Sequence, residues 1–503
     1  LRDSATQEVR TVRAARFSRL KRTAAFAGGP AVAALVLFVP SPELPRDAQV
    51  LAAILTWVVL YWVVEPIPLP VTGVLGAVLC VMVGLGSFRT VFAPYAHPIM
   101  FLLIGSLLLA EAMTVHGVAG RFAAALLSAP WGTGPMRLFL MIGIATASVS
   151  MWISNTAATA LMLPIALSIT TSIGADSQAV RDSDRAGLLL LLSFAATAGG
   201  MATVIGTPTN LVGVGLIAEQ TGTAISFATW MALGGPLALA LLAIAWGVVG
   251  WLHPAALPAV LNHHSLQRGP RQALGPWTRG QVNACTVFGV AILLWILPGL
   301  VVALGDLDHP VPLWVRMFLP SERVALLAAG LLFVLPIDLR RGEWTLSWRH
   351  VVGIRWDVLL LFGSGLAFGE LMVKTGLADF MGRGFVSLFG SHTIWSLTAV
   401  SIAVAVVVSE LVSNTVTATM AVPLAIAIAH ATGVSPLPPA LGATLGASLG
   451  FALPVSTPPN AIIYATGFVP LGKMIRAGLL FDVIGAAMIW VALRLLCPVL
   501  GLT

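Results

Sequence analysis

The chain has 503 residues, 58% of them hydrophobic and 9% charged, with a formal net charge of +7 and a mean hydropathy of +0.95. A soluble domain carries roughly a quarter charged residues, so a water-soluble globular protein is excluded, and the length suffices for about a dozen spans of roughly 20 residues each. The basic balance does not signal nucleic acid, because the Lys and Arg sit in short connections between apolar runs.

In chain order, residues 1–23 hold Arg2, Arg10, Arg13, Arg16, Arg19, Lys21 and Arg22. They read as a basic cytoplasmic tail ahead of an uncleaved first span. The spacing of three between Arg10, Arg13, Arg16 and Arg19 also allows a stripe against anionic lipid. A first membrane half follows over 24–252, then a polar linker over 253–281, then a second membrane half over 282–503. Cys80, Cys285 and Cys497 lie in or beside apolar runs and read as small core residues, not as a disulfide or metal framework.

Two apolar runs, 136–173 and 392–431, are about twice the length of a span and carry Ser-Asn-Thr near their middle. Each predicts a re-entrant helical hairpin, because irregular backbone at membrane depth survives only when buried in protein or lining a cavity. Two more runs, 186–217 and 439–469, predict broken helices. With the N-terminus in the cytoplasm and both hairpins re-entering, most Lys and Arg fall on one side. These are the tail, Arg121, Arg137, Arg181, Arg185, Arg268, Arg271, Arg279, Arg340, Arg341, Arg349, Arg355, Lys473 and Arg476. The C-terminus is then external and the linker cytoplasmic. The expected fold is an all-α polytopic membrane protein of about 11 transmembrane helices plus two re-entrant hairpins.

The halves repeat at an offset of 259 residues. Glu111, Met113 and Gly117 pair with Glu370, Met372 and Gly376; Ser150, Ser154, Asn155, Thr156 and Pro164 pair with Ser409, Ser413, Asn414, Thr415 and Pro423. Hairpins opening from opposite sides make the two repeats inverted in topology, which places a site at their interface near the midplane.

Four polar breaks carry the chemistry: Ser154-Asn155-Thr156, Gly206-Thr207-Pro208-Thr209-Asn210, Ser413-Asn414-Thr415 and Ser456-Thr457-Pro458-Pro459-Asn460. A Thr-Pro step removes a backbone donor and disfavours helix before it. The freed carbonyls, with Asn and Ser oxygens, suit a hard cation such as Na⁺, and half-helix N-termini suit a carboxylate. No Lys or Arg lies within the breaks, so a dianion is held better with a cation bound nearby, and the two ligands become coupled.

Ser150-Met151-Trp152-Ile153-Ser154-Asn155-Thr156 and Ser409-Glu410-Leu411-Val412-Ser413-Asn414-Thr415 resemble the two signature motifs of the divalent anion:sodium symporter family, the sodium-coupled dicarboxylate, citrate and sulfate carriers. Glu65-Pro66-Ile67-Pro68-Leu69-Pro70-Val71-Thr72 and Trp356-Asp357-Val358-Leu359-Leu360-Leu361-Phe362-Gly363 resemble family segments too, and the likeness runs from about residue 48 to 498. The resemblance implies a homodimer with a scaffold domain and an elevator-type transport domain in each protomer. It implies a first sodium site at Ser150, Ser154, Asn155 and the Gly206 carbonyl, and a second at Ser409, the Val412 carbonyl, Asn414 and the Ser456 carbonyl. Substrate carboxylates would meet Asn155, Thr156, Asn414, Thr415, Thr457 and Pro458. The match departs at Thr209, where the family usually carries a second proline like Pro459.

Ser, Thr and Asn in membrane helices often only bind neighbouring helices; four such motifs placed symmetrically at breaks outweigh that reading. Glu410 reads either as a proton-coupling group or as a structural hydrogen-bond acceptor, and Glu111 and Glu370 read as structural. Lys374, His116 and His430 are expected at helix ends or interfaces. Gly446-Ala447-Ser448-Leu449-Gly450 matches a hydrolase nucleophile pattern without its strand–turn–helix context. Gly442, Gly446 and Gly450 instead predict close helix packing. No nucleotide-binding loop, zinc-protease pair or haem signature occurs, which argues against ATP-driven transport within this chain, and the lack of a catalytic constellation argues against a membrane-embedded enzyme. The expected function is sodium-coupled symport of a small dicarboxylate such as succinate, malate or fumarate across the cytoplasmic membrane. A sodium-independent exchanger, a citrate or sulfate carrier, and a proton-coupled oxyanion carrier are the alternatives.

Overall fold

The computed structural model describes residues 26–39, 41, 43–127, 135–171, 178–253, 275–304, 318–389 and 393–503. The basic tail 1–23 and most of the linker 253–281 lie outside the described residues. Eight described helices are long and apolar enough to cross a membrane, and five more are apolar but only 10–17 residues long. Two of the shorter ones, Met136–Ser150 and Asn155–Ser168, are short because a turn divides one apolar run between them. The single departure from an all-helical chain among the described residues is a small antiparallel ribbon, Pro336–Asp338 with Glu343–Trp344. Its turn closes because Asp338 Oδ1 accepts from the Arg340 amide at 2.9 Å and Gly342 adopts φ +66°.

The described residues form two compact units, each drawing on both halves of the sequence. The first comprises the chain up to His97, then 356–391 and 427–433. Here the helix Arg46–Val64 stops at Glu65, the one non-glycine residue at positive φ (51°) among those described, just before Pro66. Helices Leu69–Met82 and Trp356–Thr375 approach closely at Gly73, where an added Cβ would press on the Ser364 side chain. Ser364 Oγ shares a 2.7 Å hydrogen bond with Tyr95 Oη. Lys374, in the last turn of its helix, reaches the Leu85 carbonyl at 3.5 Å, as expected of a residue at a helix end.

The second unit comprises 98–355, 392–426 and 434–503. Helices Pro135–Ser150 and Asn155–Thr171 are joined by the turn Met151–Ser154; Ile394–Leu411 and Asn414–Thr432 are joined by Val412–Ser413. Helix Gln178–Gly200 resumes as Pro208–Thr221, and Leu437–Gly446 resumes as Pro458–Ala465. Gly442 and Gly446 lie against Thr398 and Ile402 of helix Ile394–Leu411, so the small-residue spacing does serve close packing. Phe194, Phe451 and Phe481 form a three-ring cluster with centroids 4.7–5.0 Å apart. It ties helix Gln178–Gly200 to the second break and to helix Leu471–Val499. Cys80 and Cys497 are buried and unpaired as expected; Cys285 departs from the expectation, because it is exposed on the flank of helix Arg279–Leu304.

The two breaks are built alike. Thr207 and Thr457 are both extended, at φ −141°, ψ 143° and φ −140°, ψ 146°, and each precedes a proline that starts the next helix. Breaking a helix strands carbonyls that water cannot reach in a membrane core. One asparagine per break takes them up. Asn210 Nδ2 donates to the Gly200 and Thr203 carbonyls at 2.9 and 2.7 Å. Asn460 Nδ2 donates to the Gly450 and Leu453 carbonyls, both at 3.1 Å. Both asparagines are fully buried and reach back ten and seven residues, at a repeat offset of 250. Asn460 Oδ1 also accepts from Ser193 Oγ at 2.6 Å, whereas Asn210 Oδ1 has no donor among the described residues. The position related to Ser193 by the same offset is Ala443, and its neighbour Thr444 abuts Gly213, one turn beyond Asn210.

Replacing Asn460 with Ala therefore leaves two buried carbonyls and the Ser193 hydroxyl without their partner. We expect a loss of about 2–4 kcal/mol, read as a lower thermal midpoint of the purified protein in detergent. Ala443→Ser supplies the donor that Asn210 lacks and is expected to raise the midpoint by about 0.5–1.5 kcal/mol; an unchanged or lower midpoint would place residue 443 away from Asn210.

Candidate substrate and cation site

The hairpin tips repeat one side-chain bond. Ser150 Oγ donates to Asn155 Oδ1 at 2.9 Å, and Ser409 Oγ donates to Asn414 Oδ1 at 2.9 Å. Each bond spans its turn, fixing the asparagine that opens the next helix. Asn155 lies over the backbone of Gly200, where an added Cβ would collide with its Oδ1. Asn414 Nδ2 donates to the Ser448 carbonyl at 3.3 Å, and Ser409 Oγ also reaches the Ala447 carbonyl at 2.7 Å. Each tip is thus fastened to the break of its own half. The hydrolase-like Ser448 belongs to this fastening through its backbone carbonyl.

One cavity of about 260 Å³ is bordered by both tips and both breaks. Asn155, Thr156, Asn414, Thr415, Thr457 and Pro458, the expected substrate residues, all line it, as do Ser154, Gly206 and Ser456 from the expected cation set. Ser150, Ser409 and Val412 stand behind the wall, 0%, 0% and 4% exposed. Thr209 also lines the cavity, and Thr207 Oγ1 approaches its hydroxyl at 3.5 Å.

Four helices begin at this cavity: Asn155–Thr171, Pro208–Thr221, Asn414–Thr432 and Pro458–Ala465. Each turns its positive dipole end toward the cavity, which favours an anion. Ser154 Oγ accepts the Ala157 amide at 3.3 Å, and Thr457 Oγ1 accepts the Asn460 amide at 3.4 Å. These caps hold the helix starts in place. The hydroxyl, amide and carbonyl oxygens of Ser150, Ser154, Asn155 and Gly206, and of Ser409, Asn414, Val412 and Ser456, are hard donors of the kind that small cations take.

The halves also differ in how the loops of their breaks are held. Glu410 Oε1 accepts the Ala452 amide at 2.9 Å; its Oε2 accepts the Leu453 amide at 3.1 Å and Ser456 Oγ at 2.9 Å. Asp482 Oδ1 and Oδ2 accept the Gly450 and Phe451 amides at 3.2 and 3.3 Å. Two carboxylates therefore hold the loop of the second break by its N–H groups. In the first half, the position related to Glu410 is Met151, and Thr203 Oγ1 holds the Met151 carbonyl at 2.6 Å instead. Glu410 thus accepts three hydrogen bonds from the second break. Sequence reasoning passed over Asp482; the available signal was a carboxylate inside the apolar run 474–498. It also passed over the bracing role of Asn210 and Asn460, and the charged residues Glu111 and Arg355 on the cavity wall. His116 sits at the end of its helix, sharing a 2.7 Å hydrogen bond with the Thr345 carbonyl, and His430 lies in the last turn of its own.

The fold is that of a membrane transporter. The YdaH transporter of Alcanivorax borkumensis superposes with a TM-score of 0.51 at 14% identity, over 81% of this chain and 87% of that one. MtrF of Neisseria gonorrhoeae, described within a class of antimetabolite efflux pumps, superposes at 0.50 with 12% identity, over 92% and 97%. At these identities the likeness concerns the fold alone. The family described as the sodium:sulfate symporter transmembrane region matches residues 23–503, and the chain belongs to this family of divalent anion:sodium symporters. The sodium-dependent dicarboxylate transporter SdcS of Staphylococcus aureus strain RF122 is 29% identical over 502 residues, covering 96% of this chain and 94% of SdcS; the protein from strain MSSA476 matches equally. The chain is a transporter, not an enzyme.

Glu410→Ala removes the acceptor of three donors at once. We expect a loss of about 3 kcal/mol or more in thermal stability. Met151→Ala at the related position, which leaves the backbone carbonyl in place, should cost markedly less. Equal losses in the two variants would mean that the acidic hold on the second break is not what stabilises it.

Proposed function

We propose that this chain carries a small dicarboxylate into the cell together with Na⁺. The observation that carries the reading is the meeting of four helix N-termini and two Ser–Asn tips at one cavity of about 260 Å³. That volume lies below the usual range of roughly 300–1,000 Å³ for drug-sized ligands, and it suits a four-carbon acid. The helix ends favour an anion, and the neutral oxygens behind them favour an alkali cation. The 29% identity to a sodium-dependent dicarboxylate transporter supports the same assignment.

In this reading one Na⁺ is held by Ser150, Ser154, Asn155 and the Gly206 carbonyl, and a second by Ser409, Asn414 and the Val412 and Ser456 carbonyls. The carboxylates meet Asn155, Thr156, Asn414, Thr415, Thr457 and Pro458. Each bound cation offsets the charge of the dianion, so each ligand lowers the cost of binding the other. The two tip–break sets are inverted repeats, the tips are re-entrant hairpins, and a transport domain bearing them moves as an elevator against a scaffold within a homodimer. The N-terminus is cytoplasmic and the C-terminus external, in the cytoplasmic membrane. A second reading, sulfate as the anion, is favoured by the description of the family itself.

Labelled succinate uptake into proteoliposomes tests the proposal. Uptake is expected only with an inward sodium gradient, with excess sulfate competing weakly. Uptake that ignores sodium and follows internal dicarboxylate would make the protein an exchanger. Strong competition by sulfate, with no succinate uptake, would favour the second reading.

Asn155→Ala and Asn414→Ala should each weaken both sodium activation and substrate affinity by about tenfold or more, because each asparagine serves both ligands. Normal values for both ligands in either variant would dismiss the shared site.

A further inference from the structure

The cavity has a second wall, different in chemistry from the tips and breaks. Helix Pro98–Val115 presents one face to it through Ser106, Leu107, Ala110, Glu111 and Thr114, and the segment before Trp356 adds Arg355. Among the described residues, Glu111 and Arg355 are the charged ones that line the cavity. A plain dianion gains from the positive charge of Arg355. It gains nothing from Glu111. A carboxylate facing the space reserved for an anion repels it unless the ligand brings a hydrogen-bond donor of its own.

The geometry points to a substrate that carries such a donor: a dicarboxylate with a hydroxyl or amino group on the carbon beside one carboxylate. This inference rests on the dicarboxylate reading above. The tips and helix ends hold the carboxylates, Arg355 adds positive charge to the cavity wall, and Glu111 accepts a hydrogen bond from the hydroxyl or ammonium. Glu111 then sets specificity without touching the cation sites. A hydrogen bond to a charged acceptor favours such a substrate about ten- to a hundredfold over the analogue that lacks the donor.

The test compares sodium-driven uptake of succinate, L-malate and L-aspartate in proteoliposomes containing the full chain. The wild-type protein is expected to show kcat/KM for malate or aspartate about tenfold or more above that for succinate. Glu111→Met removes both acceptor and charge. It should lower malate and aspartate uptake while raising succinate uptake, a gain that damage to the fold does not produce. Glu111→Gln keeps an acceptor and loses the charge, so it should retain malate and lose aspartate preference; it also serves if the Met variant fails to fold. Arg355→Gln should raise KM for all three acids about equally. Wild-type values for succinate and malate within about twofold, or an unmoved ratio in both Glu111 variants, would overturn the inference and leave the sodium-dicarboxylate reading standing. Absence of sodium-driven uptake of all three acids would overturn that reading, and this inference with it.

Discussion

A helix broken inside a membrane leaves carbonyls that neither water nor lipid will satisfy. Much of the second unit answers that constraint. Asn210 and Asn460 turn back across their breaks and bind the stranded carbonyls at the same two backward spacings. Only with those carbonyls satisfied can Thr207 and Thr457 stay extended and the following prolines start new helices at the cavity. The tips depend on the breaks in turn. Asn155 closes over Gly200, and Asn414 and Ser409 bind the carbonyls of Ser448 and Ala447.

The duplication is closely kept in the backbone and less closely in the side chains. The extended threonines agree within a few degrees, and the Ser–Asn tip bonds agree in length. The means of holding the loops differ. In the second half Glu410 and Asp482 accept four amides between them, while the first half relies on Thr203 and on Trp230, whose Nε1 donates to the Met201 carbonyl at 3.1 Å. Carboxylates are strong acceptors for amides in a low dielectric. The second break is therefore held by carboxyl oxygens and the first by hydroxyl and indole groups. Two sites that look equivalent in the motif are not held in the same way.

The cavity combines two kinds of wall. Tips and breaks present helix N-termini, hydroxyls and amides, which suit an anion and a cation together. The opposite wall adds one guanidinium and one carboxylate. A site with a single class of donors distinguishes charge but not shape, whereas an added acceptor distinguishes ligands that bring a donor from those that do not. In the proposed arrangement the tips and breaks define the class of ligand, and Glu111 and Arg355 choose among its members.

Much of this was legible in the chain alone. Hydropathy excluded a soluble protein, and the long apolar runs with Ser-Asn-Thr at their centres located the helix–turn–helix pairs. The Thr-Pro steps located the breaks, because proline lacks a donor and restrains the residue before it, whatever the surroundings. The family followed from the same motifs. What the chain alone left undecided is what depends on neighbours distant in sequence. Asn460 could be known as a polar residue in a break, but not as the partner of Ser193, 267 residues away. Glu410 could be read as a proton carrier or as a structural acceptor, and its hold on the 452–456 loop is visible only once that loop packs against its carboxyl group. Glu111 looked structural from its repeat partner Glu370, and its place on the cavity wall appears only once helix Pro98–Val115 is packed. Local patterns determine where a helix must break, because that is a property of the backbone itself. Which groups then satisfy the break, and which face the ligand, is decided by tertiary contact.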